Sequence, residues 1–112
     1  MQWNNQKPIY QQLKDMITER ILDGSIQEGE AIPSIRTISA DLQVNPMTVS
    51  KAYQALVDDR VLEKRRGMGM FVNTGAMADL LALERKRFLE NEWPHIAKKI
   101  KQLKLSHSEL DL

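Results

Sequence analysis

No cysteine occurs in the 112-residue sequence, so neither a disulfide framework nor a thiolate nucleophile or metal ligand can be built. No apolar run approaches the ~18 residues of a membrane span, and the start of the chain lacks the charged-then-apolar pattern of a secretory signal. We therefore expect a cytoplasmic protein with no membrane partner. Histidine is scarce as well: His95 and His107 are the 2 present, too far apart to form a paired metal-ligand pattern. Gly67-Met68-Gly69 lacks the remainder of a phosphate-cradling G-x-G-x-x-G loop. Repeats and low-complexity stretches are missing too. These absences argue against an enzyme, a metal centre and a bound cofactor. An excess of one charge is also lacking, with 16 Lys and Arg against 15 Asp and Glu for a net charge of +1. Sequence-independent DNA coating, which depends on basic residues, is thereby disfavoured.

What is present is ordinary globular composition with an uneven charge distribution: 42% of residues are hydrophobic and 28% charged. The first 32 residues are net negative, whereas 33–75 and 84–104 are net positive. The length suits one compact domain with an appended element.

The punctuation of the chain defines its elements. Pro8 suits the first position of a helix over 8–23, in which Ile9, Leu13, Met16, Ile17 and Ile21 form one apolar stripe and Gly24 ends it. Residues 25–33 read as a turn and a very short extended piece. Ser34 caps a second helix with Ile35, Ile38 and Leu42 inward. After Gln43-Val44, Asn45 caps a third helix that has Pro46 at its first position and runs to Asp59, with Val49, Tyr53, Leu56 and Val57 inward. Residues 61–64 and 70–72 read as extended strands around Arg65-Arg66-Gly67-Met68-Gly69, whose two glycines supply hairpin-turn dihedrals. Helical periodicity resumes after Gly75 and continues to Lys104.

Three helices and a hairpin, with about three residues between the second and third helix, form a winged helix-turn-helix. The fold class expected is mainly α with a small β-hairpin: a DNA-binding winged helix over residues 1–75, then C-terminal dimerisation helix or helices over 76–112. In such a motif the second helix of the pair presents its first turns to base edges. Here those residues are Asn45, Pro46, Met47, Thr48, Ser50 and Lys51. Thr48 and Ser50 suit bases or phosphates, Asn45 an adenine, Met47 a thymine methyl, and Lys51 a phosphate or guanine. Arg36 stands where it reaches phosphates beside the groove, and Arg65 and Arg66 mark the wing.

The C-terminal region carries Leu81, Phe88, Leu89, Trp93, Ile96, Ile100 and Leu103 on one seam, with coiled-coil spacing from Leu89 onward. As a single helix it would span about 43 Å, longer than the winged-helix body, so a second copy is the natural cover. Folding back onto helix one is the alternative. Pro94 predicts a kink or break near Glu92–Trp93. Ser106 and Glu109 match a capping box, and the lysines at 98, 99, 101 and 104 form a solvated face.

Four stretches together, Y-Q-Q-L-K-D-M-I at 10–17, I-P-S-I-R-T-I-S at 32–39, N-P-M-T-V-S-K-A-Y-Q-A-L at 45–56 and R-R-G-M-G-M-F-V at 65–72, resemble GntR-family regulators. The asparagine-proline form of the third helix and the short C-terminal region resemble the YtrA-like branch. The resemblance implies dimeric binding to double-stranded operator DNA, usually repression of the regulator's own operon, and contacts from Arg36, residues 45–51 and the wing around Arg66, Gly67 and Gly69. The region after the wing is too short for the aminotransferase-like or ligand-binding domains of other subgroups. A small-molecule effector would have to enter beside the C-terminal helix, and no residue names one. Two positions depart from the family pattern. Arg60 replaces a common glycine, so the helix-to-wing turn is expected either to differ from the family's or to be slightly strained. Met68 replaces a frequent arginine, which shifts the wing's contacts onto Arg65 and Arg66. A winged helix that docks on another protein in place of DNA is the competing function.

Overall fold

The elements follow from how apolar spacing and capping residues partition the chain. A computed structural model describes residues 3–112, as two units divided after Leu80. In the first unit, α1 (Ile9–Leu22) buries Leu13, Ile17 and Ile21 against α3 (Pro46–Asp58), which contributes Val49, Ala52, Tyr53 and Leu56. Full burial of each such aliphatic side chain stabilises by about 1.5–3 kcal/mol. Pro8 sits one position earlier than expected, as the extended N-cap of α1, with its carbonyl accepting from Gln11 and Gln12. Ile9, expected in the stripe, is exposed, and Met16 and Val57 are half-buried at the core edge. The buried Gln12 amide donates to the Asn4 and Lys7 carbonyls and accepts from the Asn4 N–H, so its polar atoms are matched.

α2 (Ile35–Leu42) starts where the Ser34 hydroxyl accepts from the Thr37 N–H, and α3 starts where Asn45 Oδ1 accepts from the Met47 N–H at 2.8 Å. The turn between them depends on Gln43, whose φ of 54° lies in the left-handed region. Ser39 Oγ donates to the Val44 carbonyl across that turn, and Val44 is buried beneath it.

Strands β1 (Leu62–Arg65) and β2 (Gly69–Val72) pair antiparallel, with Leu62 opposite Val72 and Arg65 opposite Gly69. The strands reach one residue further toward the tip than the sequence suggested, so Arg65 and Gly69 are strand residues and only Arg66, Gly67 and Met68 form the turn. The short extended piece expected before α2 lies on the other edge of β2: Gly29 N–H donates to the Val72 carbonyl, Val72 N–H to Glu30, and Ile32 N–H to Met70. It gives the hairpin a third edge and fixes the base of the wing.

Of the two outcomes expected for the turn into the wing, the structure has the strained one, since Arg60 has a φ of 63°. Its carbonyl accepts from Asn73 Nδ2 at 2.8 Å. A non-glycine residue there forfeits about 1–2 kcal/mol, and glycine returns about 0.4–1 through unfolded-chain entropy. Arg60→Gly is therefore expected to gain about 0.5–1 kcal/mol, measured as a higher urea midpoint with unchanged slope.

α4 (Ala76–Arg87) has no side chain at its own start to cap it, because Gly75 precedes it. Glu28 supplies the cap from the other end of the unit: Oε1 accepts from the N–H groups of Gly75 at 3.0 Å and Met77 at 3.1 Å. A carboxylate at that end also meets the positive pole of the helix. Glu28→Ala should lower stability by about 0.5–2 kcal/mol, and Glu28→Gln by less, in urea unfolding. Ala76 and Leu80 belong to the first unit's core, so that unit takes in the start of α4, beyond residue 75.

In the second unit the helix is not simply kinked at Pro94. A π-helical turn (Phe88–Glu92), closed by the Trp93 N–H on the Phe88 carbonyl, precedes α5 (Trp93–Gln102). Placed in the first turn of α5, Pro94 needs no N–H partner, and the wider turn relieves the clash of its ring with the Glu90 carbonyl. Phe88 and Trp93 pack with ring centroids 6.4 Å apart. The capping box forms as expected, with reciprocal bonds between Ser106 and Glu109 opening the one-turn α6 (His107–Leu110). Leu81, Phe88, Leu89, Trp93, Ile96 and Leu103 are exposed and Ile100 is half-buried. Leu83, absent from the expected seam, is exposed as well.

Candidate nucleic-acid interface

The start of α2, one face of α3 and the wing enclose a cleft of about 450 Å³. Arg36, Ser50, Arg65, Gly67 and Gly69 all line it, so residues 33 positions apart in the chain are brought to one surface. Ser34, Gln54, Lys64 and Met68 line it too, and the sequence reading assigned none of them a contact. A signal for Gln54 was available: it stands four residues after Ser50 on the same helical face. Lys64 stands two residues before Arg66 on the hairpin, and Ser34 also caps α2.

Tyr53 is the floor of this cleft. Its hydroxyl donates to the Pro33 carbonyl at 2.8 Å, tying α3 to the segment that launches α2. Burial pushes its pKa up to about 12, so the hydroxyl remains a donor throughout the ordinary pH range.

The other expected residues divide by what their side chains already do. Pro46 and Met47 are exposed on the first turn of α3, Met47 to 79%. Thr48 is half-buried. Asn45 is exposed, but its carboxamide oxygen is engaged in capping α3, leaving only Nδ2 for an external acceptor. Lys51 is aimed across α1, with Nζ 4.1 Å from the centroid of the Tyr10 ring. Arg65 is drawn down onto the wing, its guanidinium 4.1 Å from the Phe71 ring and 3.8 Å from Glu63. That contact accounts for its being half-buried, while Arg65 still lines the cleft.

Among the described residues Arg36, Lys64 and Arg66 make no ion pair, and all three are exposed. Cations left without internal partners, beside the free end of an exposed helix, are available to an external polyanion such as a phosphate backbone. Among the described residues no group of acidic, histidine or cysteine side chains could hold a metal ion, and no helix is long and apolar enough to cross a membrane.

A winged helix-turn-helix with this surface defines a DNA-binding regulator of transcription. The chain belongs to the gntR family of bacterial regulatory proteins, whose profile matches residues 9–72. It is 32% identical over 96 residues to the HTH-type transcriptional repressor YtrA of Bacillus subtilis, covering 86% of this chain and 68% of that one. It is 28% identical over 109 residues to the regulator YhcF of the same organism, covering 97% and 88%. The fold matches a transcriptional regulator from Oenococcus oeni with a TM-score of 0.77 at 27% identity, over 99% of this chain and 91% of the other. It also matches the DNA-binding domain of AraR in complex with operator ORR3, with a TM-score of 0.58 at 29% identity over 64% and 87%. The family and these relatives are transcription regulators, not enzymes.

Proposed function

We propose that the protein is a homodimeric repressor that reads an inverted-repeat operator, with residues 1–75 as the DNA-binding part and 76–112 as the dimerisation part. α3 enters the major groove with Met47, Thr48 and Ser50 at the bases, and with Pro46 and the free amide of Asn45 at the groove edge. Arg36, Lys64 and Arg66 take phosphates, Lys51 stays on the Tyr10 ring, and the backbone at Gly67 and Gly69 allows close approach of the wing. The observation that carries this reading is the shared cleft: Arg36, Ser50 and the wing tip open onto one surface. The operator-bound AraR domain, and the repressor name of the YtrA relative, support it.

Dimerisation is supported by the exposed seam of the second unit. Leu89 is 55% and Leu103 57% exposed on a coiled-coil spacing, an arrangement that a second copy would bury. Two modules about 34 Å apart then read successive major-groove faces with the gain of bivalency. Selection of sites from a random duplex pool at ~150 mM salt tests the reading. An enriched inverted repeat with half-sites one helical turn apart is the expected result. No enrichment would transfer the winged helix to a protein partner.

A further inference from the structure

Resting on that operator-binding reading, the wing can be assigned a specific chemistry. Its tip presents Met68 between two glycines, beside Arg66. The Arg65–Gly69 strand pair and the Met68 N–H bond to the Arg65 carbonyl at 2.9 Å close the turn. Gly67 at φ +74° and Gly69 at φ +104° flank Met68 on both sides, in conformations that other residues rarely adopt. The side chain held between them is 66% exposed, on the same cleft as Arg36 and Ser50. Met68 is the one apolar side chain of the Arg66–Met68 turn, and a thioether side chain is flexible and fits an irregular apolar slot. Of the neighbouring cations, Arg65 is held against Phe71 and Glu63, and Arg66, exposed in the same turn, is free for a phosphate.

We infer that Met68 is a specificity-determining residue: the wing inserts it as an apolar probe into the minor groove, where it reads the deformability of a base step, while Arg66 holds the adjoining phosphate. Apolar side chains inserted between base steps unstack them partially. The response depends on sequence, because TA and CA/TG steps open readily whereas A-tracts are stiff. An arginine at the same place would read the negative potential of a narrow groove and would favour A-tracts. The two chemistries therefore predict opposite preferences.

The test is titration of the full chain, by fluorescence anisotropy, on the selected operator and on versions whose flanking steps are changed in turn to TA, CA, GC or AA. The wild type should bind the best TA or CA version about tenfold tighter than its AA counterpart. Met68→Ser should erase that difference and leave the slope of log affinity against log salt unchanged, because no phosphate contact is lost. Met68→Arg should steepen the slope by about one per wing and shift the preference toward AA. Thermal melting confirms that both variants are folded. A Met68→Ser protein that keeps the step preference overturns the assignment, as does a wild type that binds the operator with no step preference. A wild type that enriches no operator at all overturns the operator-binding reading itself.

Discussion

Ile96→Asp is expected to convert the protein to a monomer and to weaken operator binding by about 10²–10⁴-fold. Ile96 lies at the middle of the Leu89, Trp93, Ile96, Ile100, Leu103 series and is 42% exposed in the single chain. An aspartate there carries a charge that a dry helix–helix contact would have to desolvate without a partner, which is far more costly than the loss of a few methylenes. Each monomer keeps its winged helix, because the core of the first unit contains nothing beyond Leu80. The variant should therefore retain weak half-site binding and a normal melting transition for that unit. Sedimentation equilibrium, paired with titrations on whole and half operators at one salt concentration, reads both effects. A variant that still sediments as a dimer at micromolar concentration would place the two-fold contact elsewhere on the chain.

Arg36→Ala is expected to produce the second large loss, about 1.5–3 kcal/mol for each half-site, which a dimer suffers twice. Arg36 is exposed at the second position of α2, has no ion-pair partner among the described residues, and opens onto the cleft shared with Ser50 and the wing. A phosphate contact carries no base information, so cognate and random duplexes should lose affinity alike. The slope of log affinity against log salt should become shallower by about two for the dimer. Thr48→Ala gives the contrasting pattern: a change of about 1–3 kcal/mol confined to one base position, with the salt slope intact. Titration of both variants against the operator, its single-base substitutions and a random duplex separates the roles. Equal losses on all duplexes for Thr48→Ala would remove it from base reading.

These expectations join residues of two kinds. Some were legible because their chemistry is local. Ser34 and Asn45 announce helix starts, since a short polar side chain before an apolar run satisfies the free N–H groups, and both do so. The glycines at 67 and 69 announce a tight turn, and both have positive φ. The departure at Arg60 pointed to a different or slightly strained turn, and its φ is positive. Other features gave no local sign. Gln43 adopts a left-handed conformation without being glycine, because burial of Val44 and the Ser39 bond hold the turn. The π-helical turn before Pro94 is one of two ways to accommodate a proline, and periodicity cannot choose between them.

The amino-acid sequence by itself determined the succession of helices and hairpin, the apolar seam and the exposed first turns of α3, since these depend on spacing and on nearest-neighbour capping within a few residues. Only the tertiary structure decided which side chains are free to act. Lys51 meets Tyr10 across two helices, Arg65 settles on Phe71 across the hairpin, and Glu28 caps a helix that begins 48 residues later. Such contacts depend on which surfaces the packed core brings together, and a charge's availability to DNA is what remains after those internal partners have been satisfied.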